Sequence, residues 1–324
     1  MTVKIGIVGL GEHSLRAHIK HLVKDDRVEI VAAFDPNPLS QEGLASYGVN
    51  PDYFSSESDF WKYPMDAVLI VSPDKFHAVQ MKKAIDLGLH IFCEKPMAVS
   101  MNDLKILEEV AKTATNNNLV LATCHPRRLD PPFLWIREQI KNGTIQSELG
   151  EILHFDFTFW YKKVEDTPED EWKKDRSLLS DHFGHEIDSL SFLFPEKMKS
   201  IEVINNKDSY NHYEVTGHNT KGFTFKFLGL RMLDEIVYEE FIQLTGQKGA
   251  WIINLSNGKV IKMPSMKTEK ISPINYDVRF AAVNLNFVDA IFGNNKNYLT
   301  SEDLLRNNTL SVHLEKNRQG TWKS

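Results

Sequence analysis

The chain has 324 residues, a net charge of −6 and a hydrophobic content of 42%. This length is enough for two domains, since a domain usually takes about 100 to 200 residues. Basic residues are scattered and are outnumbered by acidic ones, which excludes the electrostatic surface that binds nucleic acids or anionic membranes. We therefore expect a globular protein whose partners are neither nucleic acids nor membranes.

Two cysteines are present, Cys93 and Cys124, and each falls in a predicted buried strand. They provide no disulfide framework, and this usage is typical of a reducing compartment. The apolar run at the start of the sequence is followed at once by Glu12, His13 and Arg16, so it is too short for a signal-peptide core or a membrane span. We expect a cytoplasmic location.

Residues 1–125 alternate strand and helix patterns, which predicts a doubly wound parallel sheet with helices on both faces. After Gly11, apolar residues recur at i, i+4, i+7 and i+8 from Leu15, which predicts a helix with one face on the sheet. The predicted strands of this α/β domain are Val3–Val8, Val28–Phe34, 67–71, His90–Cys93 and 119–123.

Residues 126–324 have a different pattern. A helix over 133–142 leads into residues 151–161, which alternate apolar and polar side chains as antiparallel strands do. The pair Asn257-Gly258 predicts a hairpin turn between two further strands. We predict an α+β domain with an open, mostly antiparallel sheet, helices on one face, and a C-terminal helix that can pack back on the first domain.

A glycine-containing motif lies where the first predicted strand turns into a helix. Its residues are Gly9, Leu10, Gly11, Glu12, His13 and Ser14. Glycines allow a tight turn and a close approach of a pyrophosphate, and the helix N-terminus offers unpaired N–H groups to the phosphates. Ser14 stands where a third Gly or Ala is usual, and it is small enough for close packing of helix and strand. The motif predicts a dinucleotide site.

Asp35 ends the next predicted strand, 24 residues after Gly11. A carboxylate at this position accepts hydrogen bonds from the adenosine ribose and repels a 2′-phosphate. No Arg or Lys follows within 36–53 to receive such a phosphate, so NAD is favoured over NADP. The alternative is that Asp35 and the prolines after it form a plain turn.

Lys95 is the first candidate for chemistry, in the sequence Glu94-Lys95-Pro96 directly after the strand His90–Cys93. Ligands of doubly wound sheets bind at the carboxyl ends of the strands, and Pro96 restricts Lys95 to an extended backbone. An ammonium group there can stabilise negative charge that develops on a substrate oxygen. The alternative is an ordinary surface lysine in a loop.

His185 is the second candidate, within the sequence 181–188. On a helix, Asp181, His185 and Asp188 share one face at i, i+4 and i+7, and a carboxylate can orient the imidazole as a general base. Two alternatives remain open. His182 and His185 could hold a metal ion, although their spacing is not that of H-E-x-x-H, or Asp181 could simply cap the helix.

With these residues the chain resembles the Gfo/Idh/MocA family, which includes glucose–fructose oxidoreductase and inositol 2-dehydrogenase. The E-K-P sequence at Lys95 and the downstream D-x-x-x-H-x-x-D pattern are its most specific signals. The matching stretches are 5–11, 33–35, Val71-Ser72-Pro73 with His77, 88–96, Arg128 with Pro131, 150–152 and 181–188. Two departures concern the local backbone and the shape of the substrate: Phe183 stands where relatives carry Gly, with Gly184 following, and His182 is an extra imidazole.

The resemblance implies a Rossmann domain followed by a domain whose open sheet forms a homodimer or homotetramer. It implies that Lys95 polarises the reacting oxygen, that His185 exchanges the proton, and that Asp181 contacts the substrate or supports His185. The implied cofactor-binding residues are Gly9, Gly11, Glu12, His13, Ser14, Asp35, Ser72, Pro73, His77, Glu94 and Lys95. The implied substrate-binding residues are Lys95, Arg128, Asp181, His182 and His185.

The function that follows is hydride transfer between NAD and a secondary carbinol or ketone of a sugar, polyol or cyclitol. Two alternatives keep the fold: an NAD-using glycoside hydrolase, and a non-catalytic sensor of NAD or sugar. A third is a metal-dependent enzyme built on His182 and His185. Trp160, Tyr161 and Trp172 are candidate walls of the substrate site, and 162–180 could be a lid or a solvated loop.

Overall fold

The computed structural model describes residues 2–162, 178–204, 212–232, 238–294, 298–316 and 321–323. Their strands form two sheets. In chain order the strands are β1 Val3–Val8, β2 Val28–Phe34, β3 Asp52–Phe54, β4 Ala67–Ile70, β5 His90–Cys93, β6 Leu121–Thr123, β7 Ile152–Lys162, β8 Met198–Val203, β9 His212–Asn219, β10 Thr224–Met232, β11 Glu239–Gly246, β12 Gly249–Asn254, β13 Lys259–Met263, β14 Lys267–Lys270 and β15 Thr321–Lys323.

The helices between these strands are of three kinds. The α-helices are Lys20–Leu22, Glu42–Ala45, Glu57–Phe60, His77–Asp86, Met101–Asn116, Pro131–Lys141, Thr144–Leu149, Leu178–Leu193, Tyr276–Ile291 and Ser301–Lys316. Short 3₁₀ helices cover Pro38–Gln41, Asp74–Phe76 and Pro126–Leu129, and a π-helix covers Ser14–Ile19. We call Leu178–Leu193 the site helix. None of the helices within the described ranges is long and apolar enough to cross a membrane.

The first sheet has the strand order β3-β2-β1-β4-β5-β6, and its neighbouring strands pair in parallel. The central strands are buried on both faces, which explains why they appear in the sequence as continuous apolar runs. The strand order reverses between β1 and β4, so the carboxyl ends of these two strands flank the crevice where such sheets bind dinucleotides. The doubly wound parallel sheet predicted from the sequence is confirmed.

The second sheet has the order β14-β13-β12-β11-β7-β10-β9-β8-β15. Its pairs are antiparallel except β7 with β10, which confirms the predicted open and mostly antiparallel sheet. Alternate residues of β7 are buried, beginning with Phe155, and they share one core with Phe183, Ile187 and Leu190 of the site helix. This packing fixes which face of the site helix turns away from the core.

The chain divides into two compact units. The first contains 1–126 and 276–309, and the second contains 127–275 and 310–324. The predicted division at 125/126 lies one residue from the observed first boundary, but 276–309 were predicted in the second domain. They group with the first unit because Asn284 bonds to His18, Asp289 to Arg27, and Asn308 to the backbone of Met97.

Two local expectations differ from the structure. The predicted hairpin at Asn257-Gly258 is formed between β12 and β13, but its first strand ends one residue earlier than predicted, since Asn254 pairs with Lys259 and the loop has four residues. Gly258 still takes a positive φ of 74°, which favours glycine. The helix after Gly11 is a π-helix over Ser14–Ile19, whose wider turn the apolar spacing did not indicate.

Candidate functional site

The carboxyl ends of β1 and β4 meet closely at Gly9. This glycine has a φ of +91°, and a Cβ on it would lie 2.7 Å from the Val71 carbonyl and 2.8 Å from the Ser72 nitrogen. Both are backbone atoms that cannot move aside cheaply, so only glycine fits here. A Cβ on Gly11, in contrast, would meet no protein atom within 4 Å. Gly9 therefore allows the loop after β1 to pack against the loop after β4, and the space next to Gly11 is open.

The residues around this space fit a dinucleotide. Ser14 is buried at the start of the π-helix, and its Oγ has no hydrogen-bond partner among the described residues. The open space at Gly11 is a cradle that a side chain would fill, and the helix N-terminus next to it suits a pyrophosphate. Of the other predicted motif residues, exposed Glu12 pairs with Arg16 at 2.7 Å. Leu10 donates its backbone N–H to Asp35.

Asp35 lies at the end of β2, where it ties two loops together. Its Oδ2 accepts the N–H of Leu10 and its Oδ1 accepts the N–H of Asn37, each at 2.9 Å. The Tyr53 hydroxyl donates to the Asp35 carbonyl at 2.5 Å. These bonds orient a half-buried carboxylate beside the glycine loop, and its predicted contact with the adenosine ribose of NAD stays a prediction. The plain-turn alternative explains the bond to Asn37 but not the bond to Leu10.

Glu94 is the centre of a buried hydrogen-bond group after β5. Its Oε1 lies 3.0 Å from His13 Nε2 and 2.8 Å from His18 Nε2, and its Oε2 accepts the N–H of Lys95 at 2.9 Å. Burial raises the pKa of the Glu94 carboxyl, but the two imidazoles outweigh this effect and hold that pKa well below its ordinary value. The group therefore presents an ionised carboxylate directly beside the half-buried Lys95.

His77 connects the loops that follow β4 and β5. Its Nε2 lies 2.7 Å from the Ser72 carbonyl oxygen and its Nδ1 lies 2.8 Å from that of Pro96. Ser72 Oγ also donates to Gln80 at 2.6 Å. Burial lowers the pKa of His77, and the two carbonyl acceptors act in the opposite direction. His77 thus holds together the loops that carry Ser72 and Lys95, while its implied contact with the cofactor stays a prediction.

In the second unit, Asp181, His182 and His185 lie within about one turn of the site helix. All three are partly exposed. The His182 ring stacks on Phe159 with centroids 4.5 Å apart, and it meets His185 edge-on at 6.2 Å. Arg231 Nη2 lies 3.5 Å from Asp181 Oδ2. The predicted site residues of this helix are therefore neighbours, joined by an arginine that the sequence did not single out.

Arg128, which was predicted to bind substrate, forms an ion pair with Asp188 of the site helix. Its Nε and Nη2 donate to both oxygens of Asp188 at 2.7 to 3.0 Å, and both side chains are buried. This pair engages both oxygens of Asp188, and the role of orienting His185 that the helical spacing suggested stays a prediction. The pair also means that Arg128 is already engaged by a carboxylate, so its predicted contact with substrate stays a prediction without support from its geometry.

The preceding residue, Arg127, lies in a second buried network. Its Nη2 donates to Glu240 Oε1 at 2.7 Å, and its Nη1 lies 3.5 Å from Glu186 Oε1. The Tyr213 hydroxyl donates to Glu186 Oε2 at 2.9 Å. Burial raises the pKa of Glu186 to about 7, although Arg127 acts to lower it. Two consecutive arginines thus hold the site helix through Glu186 and Asp188, on either side of Ile187.

Of the three aromatic residues predicted to wall the substrate site, Trp160 has a described side chain, and it does not lie with the group on the site helix. Phe159 is buried on the core face of β7 and contacts His182, so its neighbour Trp160 lies on the opposite face, against Phe241. The side chain of Tyr161, together with Trp172 and most of 162–180, lies outside the described residues. Phe159 is therefore the aromatic residue that the described structure places at this group.

Among the described residues, one group has metal-ligand geometry: His13, His18 and Glu94, whose ligand atoms lie within 4.8 Å of one another. His182 and His185 do not belong to such a group. The hydrogen bonds already described account for the close approach of His13, His18 and Glu94.

Residues 3–123 match the model of the Gfo/Idh/MocA family, described as an oxidoreductase family with an NAD-binding Rossmann fold. The chain is 26% identical over 263 residues to inositol 2-dehydrogenase of Rhizobium meliloti (strain 1021), covering 77% of this chain and 75% of that protein. It is 28% identical over 151 residues to D-glucoside 3-dehydrogenase of Escherichia coli (strain K12), covering 46% of this chain and 41% of that protein.

A solved structure resembles the whole chain. Scyllo-inositol dehydrogenase of Lactobacillus casei, with bound NAD(H) and scyllo-inositol, has a TM-score of 0.81 at 20% identity and covers 100% of this chain and 99% of its own. At this identity the likeness concerns the fold. Residues 3–123 thus match the NAD-binding Rossmann fold of the Gfo/Idh/MocA oxidoreductase family, and the glycine loop, Asp35 and the E-K-P sequence all lie within this matched part of the chain.

Proposed function

We propose that the protein is an NAD-dependent dehydrogenase that acts on a secondary carbinol of a sugar, polyol or cyclitol. One observation carries this proposal: Lys95 follows β5 at the same edge of the parallel sheet as Gly9, Gly11 and Asp35. A cation at the carboxyl edge, next to a space that suits a pyrophosphate, is placed for chemistry on a substrate held beside the cofactor.

In this proposal Lys95 donates a hydrogen bond to the reacting oxygen and stabilises the charge that develops on it. Bound NAD would accept the hydride. His185 takes the hydroxyl proton, and Asp181 orients the substrate or His185. Asp181 and His182 support His185 by lying within the same turn of the site helix, where His182 is fixed against Phe159.

The relatives named above act on a cyclitol and a glucoside by their names. We propose the same class of substrate here, because the group on the site helix offers imidazole, carboxylate and guanidinium side chains. Such side chains bind several hydroxyl groups through directional hydrogen bonds. Arg231 supplies the guanidinium of this set.

The test is a screen for NADH formation and consumption against sugars, cyclitols and their keto forms. Lys95→Met and His185→Asn should each lower turnover by about 100-fold or more while NAD still binds. The matched controls are Lys105→Met and His154→Asn, which change exposed or distant side chains of the same kinds. Unchanged turnover in both site variants would refute the assignment.

The same screen separates the alternatives. Glycoside cleavage without net NADH formation would identify an NAD-using hydrolase, and binding of NAD without turnover of any compound would identify a sensor. Loss of activity on chelation would support the metal-dependent enzyme.

We also propose a cytoplasmic homodimer or homotetramer formed through the second sheet. Trp160 and Phe241 remain partly exposed on the face opposite the site helix, which supports burial by a second copy. Analytical ultracentrifugation of the protein, and of a Phe241→Glu variant, tests this: dimers that persist unchanged in the variant would place the interface elsewhere.

A further inference from the structure

His18 lies completely buried in the first unit with both ring nitrogens against other side chains. Its Nδ1 is 3.1 Å from Asn284 Oδ1, and its Nε2 is 2.8 Å from Glu94 Oε1. A neutral imidazole has one N–H donor and one acceptor, so the nature of these two partners decides how many protons the ring carries.

The orientation of the Asn284 amide is set by the backbone. Its Nδ2 lies 2.9 Å from the Ala17 carbonyl oxygen and 2.7 Å from that of Phe280. Carbonyls only accept, so the NH₂ group must face them and Oδ1 must face His18. His18 Nδ1 therefore carries a proton and donates it to Asn284.

The second nitrogen faces a carboxylate that already has other donors. Glu94 accepts the N–H of Lys95 on Oε2, and His13 Nε2 approaches Oε1 at 3.0 Å. A carboxylate that is approached by three nitrogen donors is stabilised in its ionised form. The hydrogen between His18 and Glu94 then belongs to His18 Nε2, which makes the ring an imidazolium.

The π-helix over Ser14–Ile19 explains how two histidines reach one carboxylate. In an α-helix, residues five positions apart point about 140° away from each other. A turn that closes between i and i+5 places them on the same side. His13 and His18 are five positions apart, and their rings lie 5.6 Å from each other.

The charge pair of His18 and Glu94 lies in the part of the sheet that binds the cofactor in this assignment. Asp35 at the end of β2 marks the half of the crevice that takes the adenosine, and the other half lies over β4 and β5. Glu94 and Lys95 follow β5, so the His18–Glu94 charges lie on the nicotinamide side of the crevice. The oxidised nicotinamide ring carries a positive charge and the reduced ring does not.

We propose that His18, held between Asn284 and Glu94, is an imidazolium that keeps Glu94 ionised and oriented, and that this charge pair sets the relative affinity of the protein for NAD⁺ and NADH. This inference rests on the proposed NAD-dependent function. His18 touches neither cofactor nor substrate in this assignment, so it is a positioning residue that acts through Glu94. A carboxylate without its imidazolium attracts the charged nicotinamide more strongly, because one of its compensating charges is gone.

Other titratable groups face Glu94 and are part of the balance. They are His13, Cys124 after β6 and Tyr276 of the helix Tyr276–Ile291, and Lys95 and Arg279 act in turn on Cys124. His13 is 49% exposed, so it is the member through which the group reaches solvent. None of these groups occupies a ring nitrogen of His18, because both nitrogens already contact Asn284 and Glu94.

The first measurement needs no cofactor. Nitrogen-15 NMR of the full chain at about pH 7 should show both ring nitrogens of His18 protonated. In Glu94→Gln the second proton should be lost at neutral pH, because the charge that holds it is gone. A neutral His18 ring in the unchanged protein at about pH 7 would overturn the proposal, as would an imidazolium that persists unaltered in Glu94→Gln.

The second measurement compares the dissociation constants of NAD⁺ and NADH by calorimetry without substrate. His18→Gln removes the charge but keeps a hydrogen-bonding side chain, and we expect it to shift the NADH/NAD⁺ ratio of dissociation constants about tenfold in favour of NAD⁺. The control His21→Gln, on the same helical segment, should leave the ratio within about twofold of the unchanged protein. A folded His18→Gln variant with an unshifted ratio would overturn the proposal.

Where His18→Gln fails to fold, the NMR comparison with Glu94→Gln decides. An unchanged protein that binds neither NAD⁺ nor NADH would refute the proposed function while leaving the protonation of His18 measurable, so the two failures are distinguishable.

Discussion

Arg128 and Asp188 form a buried two-pronged ion pair, with Nη2 to Oδ1 at 2.7 Å and Nε to Oδ2 at 2.9 Å. Arg128 lies two residues after Pro126, where the first unit ends, and Asp188 lies on the site helix one turn after His185. The position of the site helix therefore depends on a charge pair that is almost completely buried.

Asp188→Asn should lower the free energy of unfolding by about 3 to 5 kcal/mol, because it leaves a buried guanidinium without its counter-ion. Urea unfolding followed by tryptophan fluorescence measures the loss. The control is Asp86→Asn, which breaks the exposed pair with Lys82 and should cost less than about 0.5 kcal/mol. Equal losses in the two variants would contradict the prediction.

Glu186 should make stability fall as the pH rises towards and through neutrality. Burial raises its pKa from 4.5 to about 7, so the folded chain holds this proton to a higher pH than the unfolded chain does. The stabilisation is complete below about pH 4.5 and is lost as the pH rises through about 7. Glu186→Gln mimics the protonated form and should become more stable than the unchanged protein at about pH 8, with little difference at about pH 5.

The control for this pH dependence is Glu240→Gln. It removes the carboxylate that Arg127 bonds at 2.7 Å, so it should destabilise the protein at both pH values. Urea unfolding at the two pH values measures both variants. A Glu186→Gln variant that is less stable at about pH 8 would show that Glu186 acts there as an anion.

Gly9→Ala should lower the stability of the protein, whereas Gly11→Ala should lower its affinity for NAD. The first places a Cβ against the backbone of Val71 and Ser72 at a positive φ, so the expected result is a large loss of stability. The second meets no protein atom, so the expected result is an unchanged melting temperature with a loss of NAD affinity of about tenfold or more. Thermal melting and calorimetry separate the two, and full NAD affinity in Gly11→Ala would mean that the pyrophosphate lies elsewhere.

Asp35→Asn should weaken the discrimination against NADP by about tenfold or more, because it removes the charge that repels a 2′-phosphate. The amide oxygen can still accept one of the two backbone N–H groups that Asp35 bonds. Dissociation constants for NAD and NADP provide the measurement, with exposed Glu42→Gln as the control. An unchanged ratio of the two constants would remove Asp35 from cofactor selection.

The strands of the first sheet could be predicted from the sequence, because they are buried on both faces and appear as apolar runs. Val3–Val8, Val28–Phe34 and His90–Cys93 have the predicted bounds. The short strand Asp52–Phe54 was missed, since only part of it is buried and no apolar run marks it. For 276–309 the sequence indicated only that a C-terminal helix could pack back on the first domain, because the grouping with the first unit depends on side-chain bonds between residues far apart in the chain.

In the candidate site, too, some residues could be predicted from the sequence and others could not. Lys95, His185 and the glycines belong to short motifs, which spacing can find. The partners that hold them do not: Asn284 lies 266 positions from His18. Arg127 and Arg231 come from a segment and a strand whose charge patterns are ordinary. His18 was missed for a different reason, since a spacing of five from His13 has no meaning in an α-helix.

The wide turn at Ser14–Ile19 also limits how this protein can be engineered. Exchanges of cofactor preference are commonly attempted by replacing the glycine loop and the helix after it with those of another dehydrogenase. A segment from another protein that has an ordinary α-helical turn here would be one residue shorter. The ring of either His13 or His18 would then point away from Glu94. A replacement that keeps the length of this segment, and therefore its wider turn, would keep both His13 and His18 in contact with Glu94.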